Sequence, residues 1–193
     1  MIDKERIVEI FEKSGVLTKG HFLYTSGLHG KNYMQCAKVL QYPKYTEEII
    51  KSMAEEFKND NIEIVVGPAM GGVTISYEFA RQLNALSYFA ERENNIMTLR
   101  RGFEISKGAK VLVVEDVITT GGSVREVIDL VENLGGEVVG VATLVDRSGG
   151  EIQFGKKLVT AYSEKMVAYN PDKCPLCREG KLPLVKPGSR KIL

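Results

Sequence analysis

Little is in excess in this chain of 193 residues, and what is scarce narrows its class. Net charge is +1, from 26 basic and 25 acidic side chains, so the broad cationic footprint of a nucleic-acid binder is missing. No apolar run approaches the roughly 20 residues that a membrane-spanning helix needs. The opening Met1-Ile2-Asp3-Lys4-Glu5-Arg6 is charged and lacks the apolar stretch of a secretion signal. The three cysteines are an odd number in a chain this long, which argues against a disulfide framework and for a reduced, cytoplasmic setting. No internal repeat and no low-complexity segment is present, and no Ser/His/Asp or Cys/His arrangement asks for a covalent nucleophile.

The segment richest in chemistry is Val111-Leu112-Val113-Val114-Glu115-Asp116-Val117-Ile118-Thr119-Thr120-Gly121-Gly122-Ser123. Four apolar residues read as a buried strand, the small polar residues as a tight loop, and Val124 to Val131 as a helix. The first amides of a helix have no internal partner and the helix dipole is positive there, so a loop of small residues lets a phosphate reach those donors. Glu115 and Asp116 stand where the hydroxyls of a phosphorylated sugar would fall. Two carboxylates accept hydrogen bonds from a diol, but tolerate a phosphate only with a cation between. The alternative is a plain strand-to-helix turn in which Thr119, Thr120 or Ser123 caps the helix. It gives no reason for adjacent acids.

Around this segment the periodicities predict a helix from Asp3 to Lys13, with Asp3 as cap and Gly15 as stop. Phe22–Tyr24 and Tyr33–Ala37 read as extended pieces around the turn Ser26–Gly30, and Tyr45–Phe57 as a helix. Ile62–Val66, Leu86–Ala90, Lys110–Val114, Glu137–Val145 and Lys157–Tyr162 read as strands, with a helix through Val73–Ala80. Alternating strands and helices imply a mainly parallel sheet covered on both faces. In such sheets ligands sit beyond the carboxyl ends of the strands. Gly67-Pro68-Ala69-Met70-Gly71-Gly72 is a second anion-ready loop at such an end. From Asn170 the chain changes character: four of its six prolines and the pair Cys174/Cys177 lie there, so an irregular tail is expected.

The Val111–Ser123 run closely resembles the phosphoribosyl diphosphate (PRPP) signature of type I phosphoribosyltransferases. The resemblance implies the fold of that family: a single α/β domain whose mainly parallel sheet carries helices on both faces, with a PRPP-binding core over 60–165. A small hood of N-terminal and C-terminal elements (1–40 and the tail 166–193) would complete it. By the same resemblance Glu115, Asp116, Val117, Ile118, Thr119, Thr120, Gly121, Gly122 and Ser123 bind PRPP. Ala69, Met70 and Gly71 would supply the diphosphate loop, with a non-proline cis peptide at Ala69–Met70. Mg²⁺ is the implied cofactor, with no metal held directly by protein side chains.

Three further places resemble orotate phosphoribosyltransferases, specifically their Thermus-type branch. Phe22 to Met34 looks like the Ser-Gly segment that flanks the pyrimidine, placing Tyr33 and Met34 near the base; the family's lysine before Ser-Gly is Thr25 here. In Val145-Asp146-Arg147, Arg147 matches the arginine that binds the orotate carboxylate, a role suited to its planar fork, and Thr119 matches a residue facing the base. The region 89–103 corresponds to a mobile lid shared between the subunits of a homodimer. Arg92 matches its arginine, but Glu93 stands in place of the lysine, and Arg100 and Arg101 are left as candidate catalytic cations with Glu115 and Asp116. Otherwise 89–103 is a solvated hairpin surface. The tail, Cys174-Pro175-Leu176-Cys177 with Lys186-Pro187-Gly188-Ser189-Arg190, is similar to that branch as well. A lone Cys-x-x-Cys is half of a tetrahedral zinc set. Sequence alone does not place Cys36, His21 or His29 beside it; a symmetric dimer pooling two pairs and a merely reduced pair in a turn both stay open.

The resemblance implies transfer of ribose 5-phosphate from PRPP to orotate, giving orotidine 5'-monophosphate and diphosphate, in pyrimidine biosynthesis. Two other readings stand beside it: a phosphoribosyltransferase for a purine or uracil, and a PRPP-sensing regulator on the same fold.

Overall fold

The computed structural model describes residues 2–24 and 26–187. Thr25 and the tail positions Gly188, Ser189 and Arg190 lie outside the described residues. The chain opens with helix α1 (Lys4–Ser14), capped by the Asp3 carboxylate on the Arg6 amide and ended by Gly15 in the left-handed region. A hairpin follows, β1 (Leu17–Leu23) and β2 (His29–Met34), then α2 (Ala37–Leu40) and α3 (Pro43–Ala54). Strand β3 (Ile64–Pro68) leads into α4 (Gly71–Leu83), and β4 (Leu86–Glu93) turns back as β5 (Ile96–Leu99). Next come β6 (Lys110–Ile118), α5 (Gly122–Asn133), β7 (Glu137–Asp146) and β8 (Lys157–Ser163). The tail holds β9 (Ala168–Tyr169), a 3-10 turn (Pro171–Lys173), α6 (Pro175–Glu179) and β10 (Leu184–Val185).

The main sheet has the order β5-β4-β3-β6-β7-β8, parallel except for the antiparallel edge strand β5. Alternating side chains of its strands feed two separate cores. Val65, Leu112, Val114, Ala142 and Leu144 pack with Ile7, Phe11, Ile49, Phe57 and Phe79 of the α1, α3 and α4 side. Ile64, Val66, Val111, Val113 and Val141 pack with Val124, Val127 and Val131 of α5. Strands buried on both faces read as continuous apolar runs, which is how they appear in the sequence. A second sheet, β10-β1-β2-β9, forms the hood from the N-terminal hairpin and the tail.

Several boundaries differ from the sequence expectation, each for a local reason. Strand β6 does not stop at Val114 but runs through the acids to Ile118, because β7 pairs with it up to Ile118↔Asp146. Strand β3 sits two residues later than Ile62–Val66, and α4 begins at Gly71 rather than Val73. Gly67 and Gly72 approach so closely that a Cβ on either would stand 2.5–2.8 Å from the other's backbone, which pulls the helix start against the strand end. In the hairpin, His29 and Gly30 belong to β2 rather than to the turn, while Ala37 starts α2. Through residue 187 the tail is more ordered than expected: β9, just before Asn170, and β10, beyond it, add to opposite edges of the hairpin, β9 to β2 and β10 to β1.

Candidate active site

The carboxyl ends of β3, β6 and β7 meet at one edge of the main sheet, and the clefts open there. The larger cleft, of about 570 Å³, is lined by Asp116, Val117 and Thr119 of the β6 end and by Arg147 beyond β7. From the hood it takes Tyr24, Tyr33 and Met34 of the hairpin, and Ala168 and Pro187 of the tail. The smaller, of about 180 Å³, is formed by Glu115 and by Val117 through Val124. The two clefts share Val117 and Thr119, so together they make one continuous trough.

At the start of α5, Gly121 takes a left-handed φ of 76°, and no side chain caps the helix. This removes the reading in which Thr119, Thr120 or Ser123 is simply a helix cap. The first-turn amides are left without a partner from the chain, facing the small cleft with the positive end of a three-turn helix behind them. Gly121 is also hemmed in by Ile152 and Phe154, each within 3.0 Å of where a Cβ would stand. A larger residue there would meet both strain and overlap.

Glu115 is buried, and its Oε1 accepts the Asp116 amide at 3.0 Å. Burial first, and then the neighbouring Asp116 charge, raise its pKa to about 8. Asp116 faces the cleft. A Cβ on Gly71 would sit 2.6–2.7 Å from its carboxylate, so only glycine lets the 69–71 loop lie against it. The Ala69–Met70 peptide is cis, at the expected position. The Ala69 amide bonds Ala90 O at 2.7 Å, and Met70 is 85% exposed.

Arg147 is positioned by the turn after β7. Buried Asp146 accepts hydrogen bonds from the Ser148 amide and hydroxyl (2.8 and 2.6 Å), the Gly150 amide (2.7 Å) and the Ser163 hydroxyl (3.0 Å). Burial would raise its pKa, but those donors outweigh it and hold Asp146 ionised below the usual range. The Arg147 amide bonds Ile118 O at 2.9 Å, fixing the residue beside the β6 end. Its Nε is buried with no partner among the described residues. An unpaired buried guanidinium nitrogen facing a cleft is a donor prepared for an anionic acceptor. Sequence reasoning missed Cys36, whose thiol burial pushes up to about 12, so that it lines the cleft as a neutral group. It also missed Pro187, since nothing in a tail signals which cleft it will close.

Thus Glu115, Asp116, Val117, Ile118, the 119–123 loop, 69–71, Arg147, Tyr33 and Met34 come together. The lid arginines do not line either cleft. Arg92 pairs with Glu126 of α5 at 2.5 Å, Arg100 with Glu93 at 3.5 Å and Arg101 with Glu91 at 3.2 Å, all on the β4–β5 hairpin side.

At the carboxyl end of this sheet an uncapped glycine-rich loop, an acidic pair and a second, glycine-tight loop come together. The family model for the phosphoribosyl transferase domain matches residues 37–160, and the chain belongs to that family. It is 57% identical over 191 residues to the orotate phosphoribosyltransferase of Caldanaerobacter subterraneus subsp. tengcongensis, covering 99% of this chain and all of that protein. Among solved structures it is similar to orotate phosphoribosyltransferase from Aeropyrum pernix, with TM-score 0.70, 23% identity and coverage of 82% and 94%. Adenine phosphoribosyltransferase from Rhodothermus marinus superposes nearly as well (TM-score 0.64, 23% identity, coverage 83% and 100%). Likeness at that identity speaks for the fold and not for the base. No helix among the described residues is long and apolar enough to cross a membrane.

Proposed function

We propose that the chain transfers the ribose 5-phosphate group of PRPP to orotate, releasing diphosphate and forming orotidine 5'-monophosphate for pyrimidine biosynthesis. The observation that carries the choice of base is Arg147: a half-buried side chain that lines the cleft with Tyr33, Met34 and Thr119, its Nε buried and without a partner among the described residues. An acidic pyrimidine brings the carboxylate it lacks; adenine and uracil do not. The full-length similarity to orotate enzymes supports the same reading.

In this reading the amides of Thr119 to Ser123 hold the 5-phosphate, and Glu115 and Asp116 hold the ribose hydroxyls. Burial and the neighbouring Asp116 favour the protonated form of Glu115, which lessens the charge it sets against an anionic substrate. The 69–71 loop, pressed against Asp116, offers backbone amides to the diphosphate. As the bond from the anomeric carbon to diphosphate breaks, a ring nitrogen of orotate attacks the opposite face, and the ribosyl centre passes through oxocarbenium character. No side-chain nucleophile is needed. Arg147 and the hood orient orotate; the loops hold the sugar still while charge moves onto the leaving group. Glu115 and Asp116 would lie beside a Mg²⁺ that keeps its waters, and the metal would supply positive charge to offset the leaving diphosphate.

The remaining roles belong to the same proposal. Arg92 would contact PRPP, and Arg100 and Arg101 would supply lid cations, acting across a homodimer, since none of them reaches the cleft of its own chain in this structure. Exposed Met70 and Tyr77 beside the diphosphate loop give such a partner an apolar footing. The location proposed is the reduced cytoplasm. The test is diphosphate release from PRPP, with and without Mg²⁺, against orotate, uracil and adenine. Orotate-dependent release alone is expected; comparable release with uracil or adenine would replace this reading.

A further inference from the structure

The chain has two histidines and three cysteines, and both histidines and two of the cysteines meet at one point of the hood. His21 projects from β1, His29 from the first position of β2, and Cys174 and Cys177 from the two ends of the first turn of α6. Their ligand atoms all lie within 4.8 Å of one another. His21 Nε2 stands 3.1 Å from His29 Nδ1 and 3.6 Å from both Cys174 Sγ and Cys177 Sγ, and His29 Nδ1 stands 3.2 Å from Cys177 Sγ. His21, His29 and Cys174 are buried.

Hydrogen bonding within the cluster does not account for this convergence. Two neutral imidazoles share one proton between them, and thiols are weak donors and weak acceptors. Four soft donors turned on one centre match instead the edges of a tetrahedron. With metal–nitrogen bonds near 2.05 Å and metal–sulfur bonds near 2.3 Å, those edges run from roughly 3.3 to 3.8 Å. His21 is also oriented from outside: its Nδ1 lies 3.4 Å from Leu182 O, so a proton held there leaves the Nε2 lone pair for the centre. No carboxylate belongs to the cluster. An N₂S₂ set favours zinc over magnesium or calcium.

We propose that His21, His29, Cys174 and Cys177 bind one zinc ion as a structural site. Binding displaces one proton from each thiol, leaves two thiolates that balance the dication, and involves no change of oxidation state. All four positions are filled by the chain, so no open position remains for a substrate, and none of the four residues lines either cleft. A single chain supplies the full set, and pooling of two Cys-x-x-Cys pairs across a dimer is unnecessary. The ion would join the hairpin to the tail where the backbone does little: β9 and β10 are two residues each. Tyr24, Tyr33 and Met34 of that hairpin and Ala168 and Pro187 of that tail form the cleft wall. The zinc would thus hold one side of the base pocket in shape.

The test is elemental analysis of the full-length protein, purified without chelator and without added zinc. About one zinc per chain is expected. On the same wild-type protein, an organomercurial should release that zinc to a chromogenic chelator as the thiols react. Cobalt(II) exchanged into the site should show thiolate-to-cobalt charge transfer and the strong visible bands of four-coordinate cobalt. Cys177→Ser and His29→Gln should lose the metal. Protein that comes out metal-free and gains no cobalt–thiolate absorption overturns the site. So does zinc that stays on a Cys174→Ser/Cys177→Ser double variant. The cobalt and mercurial readings need no variant to fold.

Discussion

The two sheets of this molecule are held together by different means. The main sheet is buried on both faces, and its central strands β3, β6 and β7 contribute alternate residues to two cores. At about 25 cal/mol per Å² of apolar surface, such an interior is stable by its own packing. The hood sheet has a two-strand hairpin and two strands of two residues, and packs mainly through Val16, Met34 and their neighbours onto the helix side of the core. A pair of strands with so little interior is marginal by itself. The difference maps onto the chemistry. On the proposed reading, the stiff sheet supplies the phosphate loop, the acids and Arg147, and the thin one closes the other wall of the base cleft.

That contrast is open to attack at four positions. The largest effect is expected inside the core. Phe57 is fully buried beside Gly140, where a Cβ would overlap its ring at 2.6 Å, so the ring fills a space made for it. Phe57→Ala should cost about 3–5 kcal/mol of stability by chemical denaturation. Retained catalytic constants in whatever fraction stays folded are expected; a small loss would mean that the core is less tightly built than it looks. Next is Asp116→Asn, which leaves packing alone but removes charge beside the ribose. Turnover should fall by about 10²–10³-fold with an unchanged Tm. An unchanged rate in purified variant would discard the diol role of the acids.

The third position lies where the sheets meet. Arg147→Ala removes the unpaired donor facing the cleft and should raise the KM for orotate by roughly 10–100-fold, the worth of a charge-assisted hydrogen-bond pair. The KM for PRPP should stay as it was. Equal loss for both substrates would refute the carboxylate assignment and make Arg147 part of the phosphate side.

The same contrast explains what the sequence disclosed. Val111–Ser123 was legible because strand, acids, loop and helix are consecutive, so local pattern and final geometry coincide. The α1 caps were legible for the same reason, whereas the cis peptide position came from the family resemblance. Strand ends were less so: whether β6 stops at Val114 or Ile118 depends on β7, whose partners lie far along the chain. The hood was hardly legible at all. His21 and Cys177 are separated by 156 residues yet stand 3.6 Å apart, and no periodicity carries such a meeting. Prolines in the tail read as irregularity, whereas Pro175 opens α6 at a position where its missing amide costs nothing. The placement of Arg92, Arg100 and Arg101 was not legible: each has an acid on the hairpin or α5 to pair with, and sequence does not say which partner wins.

The smallest expected effect concerns Glu115 and separates the two regions by pH. Its pKa is raised by burial and by Asp116 to about 8 in the folded protein, above its unfolded value near 4.5. Between those limits the folded chain binds more protons than the unfolded one, so stability is fully present below about pH 4.5 and declines as pH rises toward 8. The decline should read as a fall in Tm as pH rises through that window. Glu115→Gln should flatten that drift in the ligand-free protein. The carboxylate belongs to the core sheet, so Tyr33→Ala in the hood should leave the drift as it is. A drift that persists in Glu115→Gln, or disappears in Tyr33→Ala, would move the proton to another group and dissolve the division of labour between the two sheets.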